Sequence, residues 1–582
     1  MTFILKNDSV DSLEIKIAIL KAIIAREVFV ENKNQQIETY TDPNAWLFDF
    51  RRVLMRGDVA DLVSEIFYLQ YAERYPFQLG TLEIAGVPLM TSLMTKLFAR
   101  GVLDINAFFI RKSRKKSGLL QMIEGQLKAD LEIILVDDIM NTGSSFWRQI
   151  EVIEQLGGRV NTVWSLLRFR DPEYYKRFSN RGITVKSLFE LNDFTELLGT
   201  RVKNIQVTPL HTNNLPFTRQ WIFKSTKPSL SYVLPKSQPS LDKDTLYVGT
   251  DNQLFLALNQ VDGSIKWQYR VGYPSKKKSV FSSPVIAGKL VIFGAYDGNV
   301  YALDKATGQV VWVSFEADWV GSSPAVAPDL GLVFIGLEFG LWRKHGGIAA
   351  LDIATGKTVW LDRSHQALTH ASPTYIAESA QVVIGSNEGK VRLYDAEKGD
   401  LLWTFTTFGG ADYSELSDSG FGSGEIKQGI AYYKINDYLI FGATDGFLYV
   451  LNRQNGHLVF HYKCGFAVWA TPYLEGSRVY FTSLDKRLRC LELNTLTIIW
   501  EKEIDGTRIF SSPTIIEGRL YVGTNAGRLH ELDPNTGESL GYFQATERIT
   551  NTVAYNHQTK RFFLPTYANE IICLTRKNNA KD

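Results

Sequence analysis

The chain runs to 582 residues, more than one hydrophobic core organises, so several domain-sized units are expected. Apolar residues make up 45% of it and charged residues 22%, which excludes an intrinsically disordered chain, and a net charge of +2 gives no electrostatic case for nucleic acid or a membrane surface. Cys464, Cys490 and Cys573 are too few and too scattered for a disulfide framework, no apolar run approaches the roughly 18 residues of a membrane span, and the first residues lack a basic segment followed by an apolar one; the expected location is the cytoplasm.

Residues 11–25 predict a helix with Leu13, Ile17, Leu20 and Ile24 on one face; further helices are expected over 58–72 and, entered at Pro88, over 88–99. Strands are expected over 107–111, 132–136 and 159–167, and this alternation predicts a parallel α/β sheet. Ligands in such sheets lie outside the carboxyl ends of the strands. Residues 134–145 (ILVDDIMNTGSS) place two acids, Asp137 and Asp138, at such an end. The polar turn Asn141, Thr142, Gly143, Ser144 and Ser145 then leads into a helix with Ile150, Ile153 and Leu156 on one face. Unpaired N–H groups and a helix dipole suit a phosphate, and carboxylates suit sugar hydroxyls, so a phosphorylated sugar fits both halves. The alternative is a strand-end pair that caps the helix or faces solvent. The run Arg111, Lys112, Arg114, Lys115 and Lys116 is either a solvated loop, a nucleic-acid patch or an anion-binding loop. The first domain is closed at residue 207, and residues 208–216, with Asn213 and Asn214, form the linker.

Beyond the linker helical periodicity gives way to a repeat. Residues 290–312 (LVIFGAYDGNVYALDKATGQVVW) read as strand, glycine turn, strand, tight turn, strand, with relatives ending at Trp267, Trp360, Trp403, Phe460, Trp500 and near Gly541. A further strand opens each unit, marked by Ser282-Ser283-Pro284, Ser322-Ser323-Pro324, Ser372-Pro373, Thr471-Pro472 and Ser511-Ser512-Pro513. Four strands at a period of about 40–57 residues predict a β-propeller. Leu258, Leu303, Leu351, Tyr394, Leu451, Leu491, Leu532 and Leu574 hold equivalent third-strand positions, which predicts eight blades. The last unit lacks its fourth strand, and residues 217–223 (FTRQWIF) are expected to supply it, so that the propeller spans 217–577. Residues 337–345 and 407–423 interrupt the rhythm and are candidate binding loops. Lys276, Lys277 and Lys278 read as a solvated turn.

Four stretches of the first domain occur in the order found in type I phosphoribosyltransferases, and 1–207 most resembles orotate phosphoribosyltransferase. Residues 134–145 resemble that family's motif for phosphoribosyl pyrophosphate (PRPP), and 109–125 (FIRKSRKKSGLLQMIEG) its catalytic loop. Residues 82–89 (LEIAGVPL) resemble its pyrophosphate loop, and 44–52 (NAWLFDFRR) its N-terminal substrate segment. The resemblance implies PRPP and magnesium as ligands, the metal arriving on PRPP rather than on protein side chains. It implies that Asp137 and Asp138 hold the ribose, that the 141–145 turn holds the 5′-phosphate, and that Glu83, Ile84, Ala85 and Gly86 wrap the pyrophosphate. Arg111, Lys112 and Lys115 would meet the departing charge, Lys115 in the place of the catalytic lysine, with Ser117 where the family has histidine or tyrosine. Asn141, standing where the family has threonine, is with Arg168 and Arg170 a candidate for the base. A homodimer sharing the loop is a further implication.

The repeat resembles the propeller of quinone (PQQ) dehydrogenases and their non-enzymatic relatives. The adjacent cysteines and clustered acids of the quinone enzymes are not seen, and the tryptophans are expected to pack blade on blade, so no quinone is expected. The leading expectation is transfer of ribose 5-phosphate from PRPP to a base, with orotate the first choice, and an unidentified protein partner on the propeller. The second is a PRPP sensor on a propeller scaffold, and the third a quinone-dependent oxidoreductase.

Overall fold

The computed structural model describes residues 10–31, 46–84, 86–111, 123–198, 217–224, 237–250, 253–272, 279–340, 344–412, 424–545, 547–567 and 570–576. The chain divides into two compact units, Met1–Asn214 and Leu215–Asp582; residues 201–216, which include the expected linker, lie outside the described residues.

The first unit begins with helix α1 (Val10–Ile23) and a short hairpin of β1 (Phe29–Glu31) with β2 (Trp46–Phe48). Then follow α2 (Arg51–Leu54), α3 (Gly57–Tyr71), β3 (Phe77–Leu82), α4 (Gly86–Ala99), β4 (Asn106–Ile110) and β5 (Ile123–Gly125). The unit continues through β6 (Glu132–Met140), α5 (Ser144–Gln155), β7 (Val160–Arg168), α6 (Lys176–Ser179), β8 (Thr184–Glu190) and α7 (Thr195–Leu198). Strands β3 to β8 form one six-stranded sheet in the order β5-β4-β3-β6-β7-β8. All its pairings are parallel except β4 with β5, so the sheet is mixed rather than wholly parallel. The reason is local: an antiparallel neighbour can be joined by a loop, whereas a parallel one needs a crossover. Residues 112–122, which carry the basic run beyond Arg111, are that connection and lie outside the described residues.

Side chains of β6 alternate between two cores, as a strand covered on both faces requires. Ile134 and Val136 join the core built with α1, α3 and α4, while Ile133 and Leu135 join the core built with α5.

The second unit is an eight-bladed propeller of four-stranded antiparallel blades. In the eighth, Glu570–Arg576 pairs with β9 (Phe217–Lys224), from Glu570 opposite Lys224 to Arg576 opposite Phe217, so both ends of the unit share one blade. The eight equivalent third-strand residues all fall at a register shift against the fourth strand, Leu258 in the first blade and Leu574 in the last. A bulge at a fixed place adds local twist, which is what a radial sheet needs. Six tryptophans, Trp221, Trp267, Trp312, Trp360, Trp403 and Trp500, each donate the indole N–H to a backbone carbonyl of the next blade at 2.7–3.1 Å. The serine-proline markers act around the axis: the N–H groups of Gln238, Ser283 and Ser323 donate to the hydroxyls of Ser283, Ser323 and Ser372 at 2.9–3.1 Å.

The blade joint explains a recurring glycine. Gly356 has φ +70°, and a Cβ there would lie 2.4 Å from the Trp312 ring. Gly356→Ala is therefore expected to destabilise the propeller by roughly 2–5 kcal/mol, joining an overpacking cost to a left-handed backbone penalty. Urea unfolding followed by tryptophan fluorescence checks this, and an unchanged midpoint would show that the joint yields without cost.

Candidate functional site

Strand β6 carries the two acids. It runs to Met140, so Asp137 and Asp138 lie inside the strand and not beyond its expected end at residue 136. The cause is its neighbour: β7 is equally long and keeps the ladder going, with Asp137 opposite Ser165 and Met140 opposite Arg168. Asp137 Oδ1 accepts the N–H of Asp138 at 3.0 Å, and Asp138 Oδ1 accepts that of Ile139 at 2.8 Å. Burial pushes the Asp138 carboxyl above the ordinary carboxylate value, while hydrogen bonds and the charge of Arg51 act in the opposite direction.

The turn after β6 ends at Gly143, whose φ of +71° caps the amino end of α5. Its carbonyls are taken from one side. Tyr175 donates its one hydroxyl proton to Asn141 O at 2.6 Å, with Met140 O sharing it at 3.0 Å, and Arg177 donates to Thr142 O at 2.7 Å. Asn141 Oδ1 accepts from Arg170 Nε at 3.1 Å, and the Arg170 guanidinium lies over the Tyr174 ring at 5.4 Å. Arg168 is placed differently. It is buried, still within β7, and its guanidinium pairs with Glu190 of β8. Of the two arginines, Arg170 meets Asn141.

Glu83 and Ile84 lie between β3 and α4, with Ile84 70% exposed; Ala85 lies outside the described residues. Gly86 sits so close to the sheet that a Cβ would fall 1.9 Å from Thr81 Oγ1. The same hydroxyl donates to Val136 O, one residue before Asp137, at 2.7 Å. This ties the loop expected for pyrophosphate to the strand that carries the acids. Arg111, at the end of β4, faces Glu83 at 3.7 Å and Glu124 at 3.5 Å. Lys112, Arg114, Lys115 and Lys116 lie outside the described residues.

Three residues escaped the sequence. Arg51 lies in the stretch matched by resemblance, yet nothing singled it out; its guanidinium donates to Asp49 at 2.7 Å, and its charge reaches Asp138. Its segment is anchored near the end of β7 by Phe48, whose ring lies 6.1 Å from that of Phe169. Tyr175 and Arg177 fall in a stretch that carried no motif at all.

The propeller encloses an axial cavity of about 710 Å³, lined in part by Phe281, Tyr296, His370, Lys427, Trp469 and Phe510. Its cations have acidic neighbours: His370 faces Glu338 at 3.1 Å and Lys427 faces Glu425 at 2.5 Å. The interruption at 337–345 lengthens a hairpin of Leu332–Phe339 with His345–Asp352, with Phe339 and His345 stacked at 4.4 Å. That at 407–423 begins with a turn over Gly409–Asp412; residues 413–423 lie outside the described residues, as do 273–278 with the lysine run. Among the described residues no group of three or more His, Cys, Asp or Glu side chains is placed to hold a metal ion, and no helix is long and apolar enough to cross a membrane.

A family model described as outer membrane protein assembly factor BamB matches residues 218–373 and 387–580. The chain belongs to that family. BamB of Escherichia coli (strain K12) is 25% identical over 357 residues, 60% of this chain and 86% of that protein. The first unit is similar to a different protein: orotate phosphoribosyltransferase of Bradyrhizobium sp. (strain ORS 278), 26% identical over 151 residues, 25% of this chain and 80% of that enzyme. Quinohemoprotein alcohol dehydrogenase from Comamonas testosteroni shares the propeller fold, with a TM-score of 0.51 at 13% identity over 65% of this chain and 81% of that one. The BamB-family match lies wholly in the propeller, and the phosphoribosyltransferase likeness is confined to a quarter of the chain.

Proposed function

We propose that the first domain binds PRPP with its magnesium and transfers ribose 5-phosphate to a nitrogenous base, orotate being the first to test. The bond from ribose C1 to pyrophosphate breaks, a bond from C1 to a ring nitrogen forms as that nitrogen gives up its proton to solvent, and pyrophosphate leaves carrying the magnesium it brought. The observation that carries this reading is the juxtaposition of Asp137 and Asp138 with a turn in which the carbonyls of Met140, Asn141 and Thr142 are held from behind. The acids accept hydrogen bonds from ribose hydroxyls, and the turn at the start of α5 offers N–H groups to the 5′-phosphate. Positive charge grows on the sugar as pyrophosphate leaves, so catalysis is positioning plus stabilisation of separating charge. On the base side, Arg170 held against Asn141 favours an acceptor that carries a carboxylate, since a guanidinium fork reads that group well. The charge of Arg51 also acts on Asp138. We place the activity in the cytoplasm, a setting that suits three free, buried thiols.

The second reading is a PRPP sensor without turnover, in which the propeller is a scaffold for a protein partner. It is favoured by the extent of the match to the BamB family, which is described as an assembly factor. One experiment separates the two: calorimetry with PRPP and magnesium, followed by an assay of pyrophosphate release with a panel of bases. Release with any base supports the transferase; heat of binding without release supports the sensor; no binding removes both. Cell fractionation tests the location.

A further inference from the structure

The segment behind the phosphate turn has a role that no motif signalled. Resting on the phosphoribosyltransferase reading, we propose that Tyr175 and Arg177 are positioning residues that set the direction of the cradle's N–H groups and thereby its affinity for the 5′-phosphate.

The geometry runs through three successive peptides. Met140 O accepts the N–H of Phe169 at 3.0 Å and shares the Tyr175 hydroxyl proton at 3.0 Å. Asn141 O accepts the same hydroxyl at 2.6 Å, and Thr142 O accepts Arg177 Nη2 at 2.7 Å. A trans peptide is planar, with its carbonyl and its N–H pointing opposite ways. Holding these three carbonyls toward the 169–177 segment turns the N–H groups of Asn141, Thr142 and Gly143 to the other side. Successive N–H groups facing one way make an anion-binding concavity, here at the amino end of a twelve-residue helix.

The two donors are built for the task. Tyr175 is 2% exposed and Arg177 7% exposed, so water competes little for their hydrogen bonds. Burial raises the Tyr175 phenol above its ordinary value, which keeps it a donor at all ordinary pH. The Arg177 guanidinium is oriented by the rings of Trp147 and Phe178, each at 5.1 Å. Arg181 provides an internal contrast. It lies over the same Trp147 ring at 4.6 Å, and its hydrogen bonds go to Glu151 and Glu154.

The test uses the full chain and calorimetry with three probes: ribose 5-phosphate, PRPP with magnesium, and pyrophosphate with magnesium. Tyr175→Phe, which removes one oxygen, and Arg177→Met are each expected to weaken ribose 5-phosphate and PRPP about tenfold, as loss of a buried donor predicts. Pyrophosphate affinity should stay within about twofold, because that ligand is read by the loop around Glu83. Arg181→Met, which also loses its contact with Trp147, should leave all three affinities unchanged. Should Arg177→Met fail to fold, Tyr175→Phe still decides. Unchanged ribose 5-phosphate affinity in Tyr175→Phe overturns the proposal and leaves the phosphoribosyltransferase reading standing. Equal weakening of pyrophosphate also overturns it, because the effect would then be general loosening. Wild-type protein that binds neither ribose 5-phosphate nor PRPP overturns both.

Discussion

Lys115→Ala is expected to lower turnover by on the order of 10²–10³ while changing PRPP affinity only a few-fold. The resemblance puts this lysine in the catalytic place, and the frame around its loop is consistent with that role. The loop leaves β4 at Arg111 and returns at Ile123, which pairs with Ile110. Arg111 faces both Glu83, in the loop expected to wrap pyrophosphate, and Glu124 on the returning strand. Arg111, the first residue of the basic run, therefore lies beside the loop expected to wrap pyrophosphate, and in the transferase reading the run would meet negative charge as that charge develops. An interaction stronger in the transition state than in the ground state lowers turnover when removed and leaves binding nearly intact. Single-turnover pyrophosphate release set against calorimetry with PRPP makes the separation. Equal losses in turnover and affinity would mark Lys115 as a ground-state contact, and no loss would pass the role to Arg114 or Lys116.

What could be read in advance depended on whether the signal was local. The strand, turn and helix from Glu132 to Gln155 were legible because an apolar run ends in two acids and a glycine turn, all within one short stretch. The propeller was legible because one unit recurs: eight residues equivalent to Leu258 each sit at a register shift, and the tryptophans recur beside a turn glycine. Tyr175 and Arg177 were not legible, because their own surroundings carry no pattern, and Arg51, though inside a matched stretch, was not singled out because its effect on Asp138 crosses from a distant segment. Arg168 and Arg170 show the limit most sharply. They are two residues apart, yet Arg168 ends β7 and pairs across to Glu190, whereas Arg170 lies past the strand and turns toward Asn141. The stretch 337–345 interrupts the repeat's rhythm and so reads as a loop, whereas most of it extends a hairpin. The fold uses Glu338 against His370 and His345 against Phe339.

Asp138→Asn is expected to move stability and binding in opposite directions. In the ligand-free protein, burial holds the Asp138 carboxyl above its ordinary value of 3.8, so the fold favours the neutral form. The sign follows from linkage. Such a group's stabilising contribution is present in full below the unfolded value and is lost as pH rises through the higher folded value. At pH 7, well above the unfolded value, the acid is therefore a net cost to the fold. Asparagine removes that cost and keeps an oxygen to accept the Ile139 N–H. Thermal midpoints of the ligand-free variant should exceed those of the wild type at pH 7 and converge with them toward pH 3. Binding should go the other way. Ribose hydroxyls donate to the carboxylate, and an amide offers a weaker acceptor together with an unwanted donor, so PRPP affinity should fall about 10- to 100-fold. The wild type should also lose PRPP affinity as pH falls through the raised Asp138 value, and the variant should lack that part of the dependence. The phosphates of PRPP titrate in both proteins, so the difference between the two curves isolates the carboxyl. A variant that is less stable at pH 7 yet binds PRPP normally would show that Asp138 is a structural acid, and would leave Asp137 alone to hold the ribose.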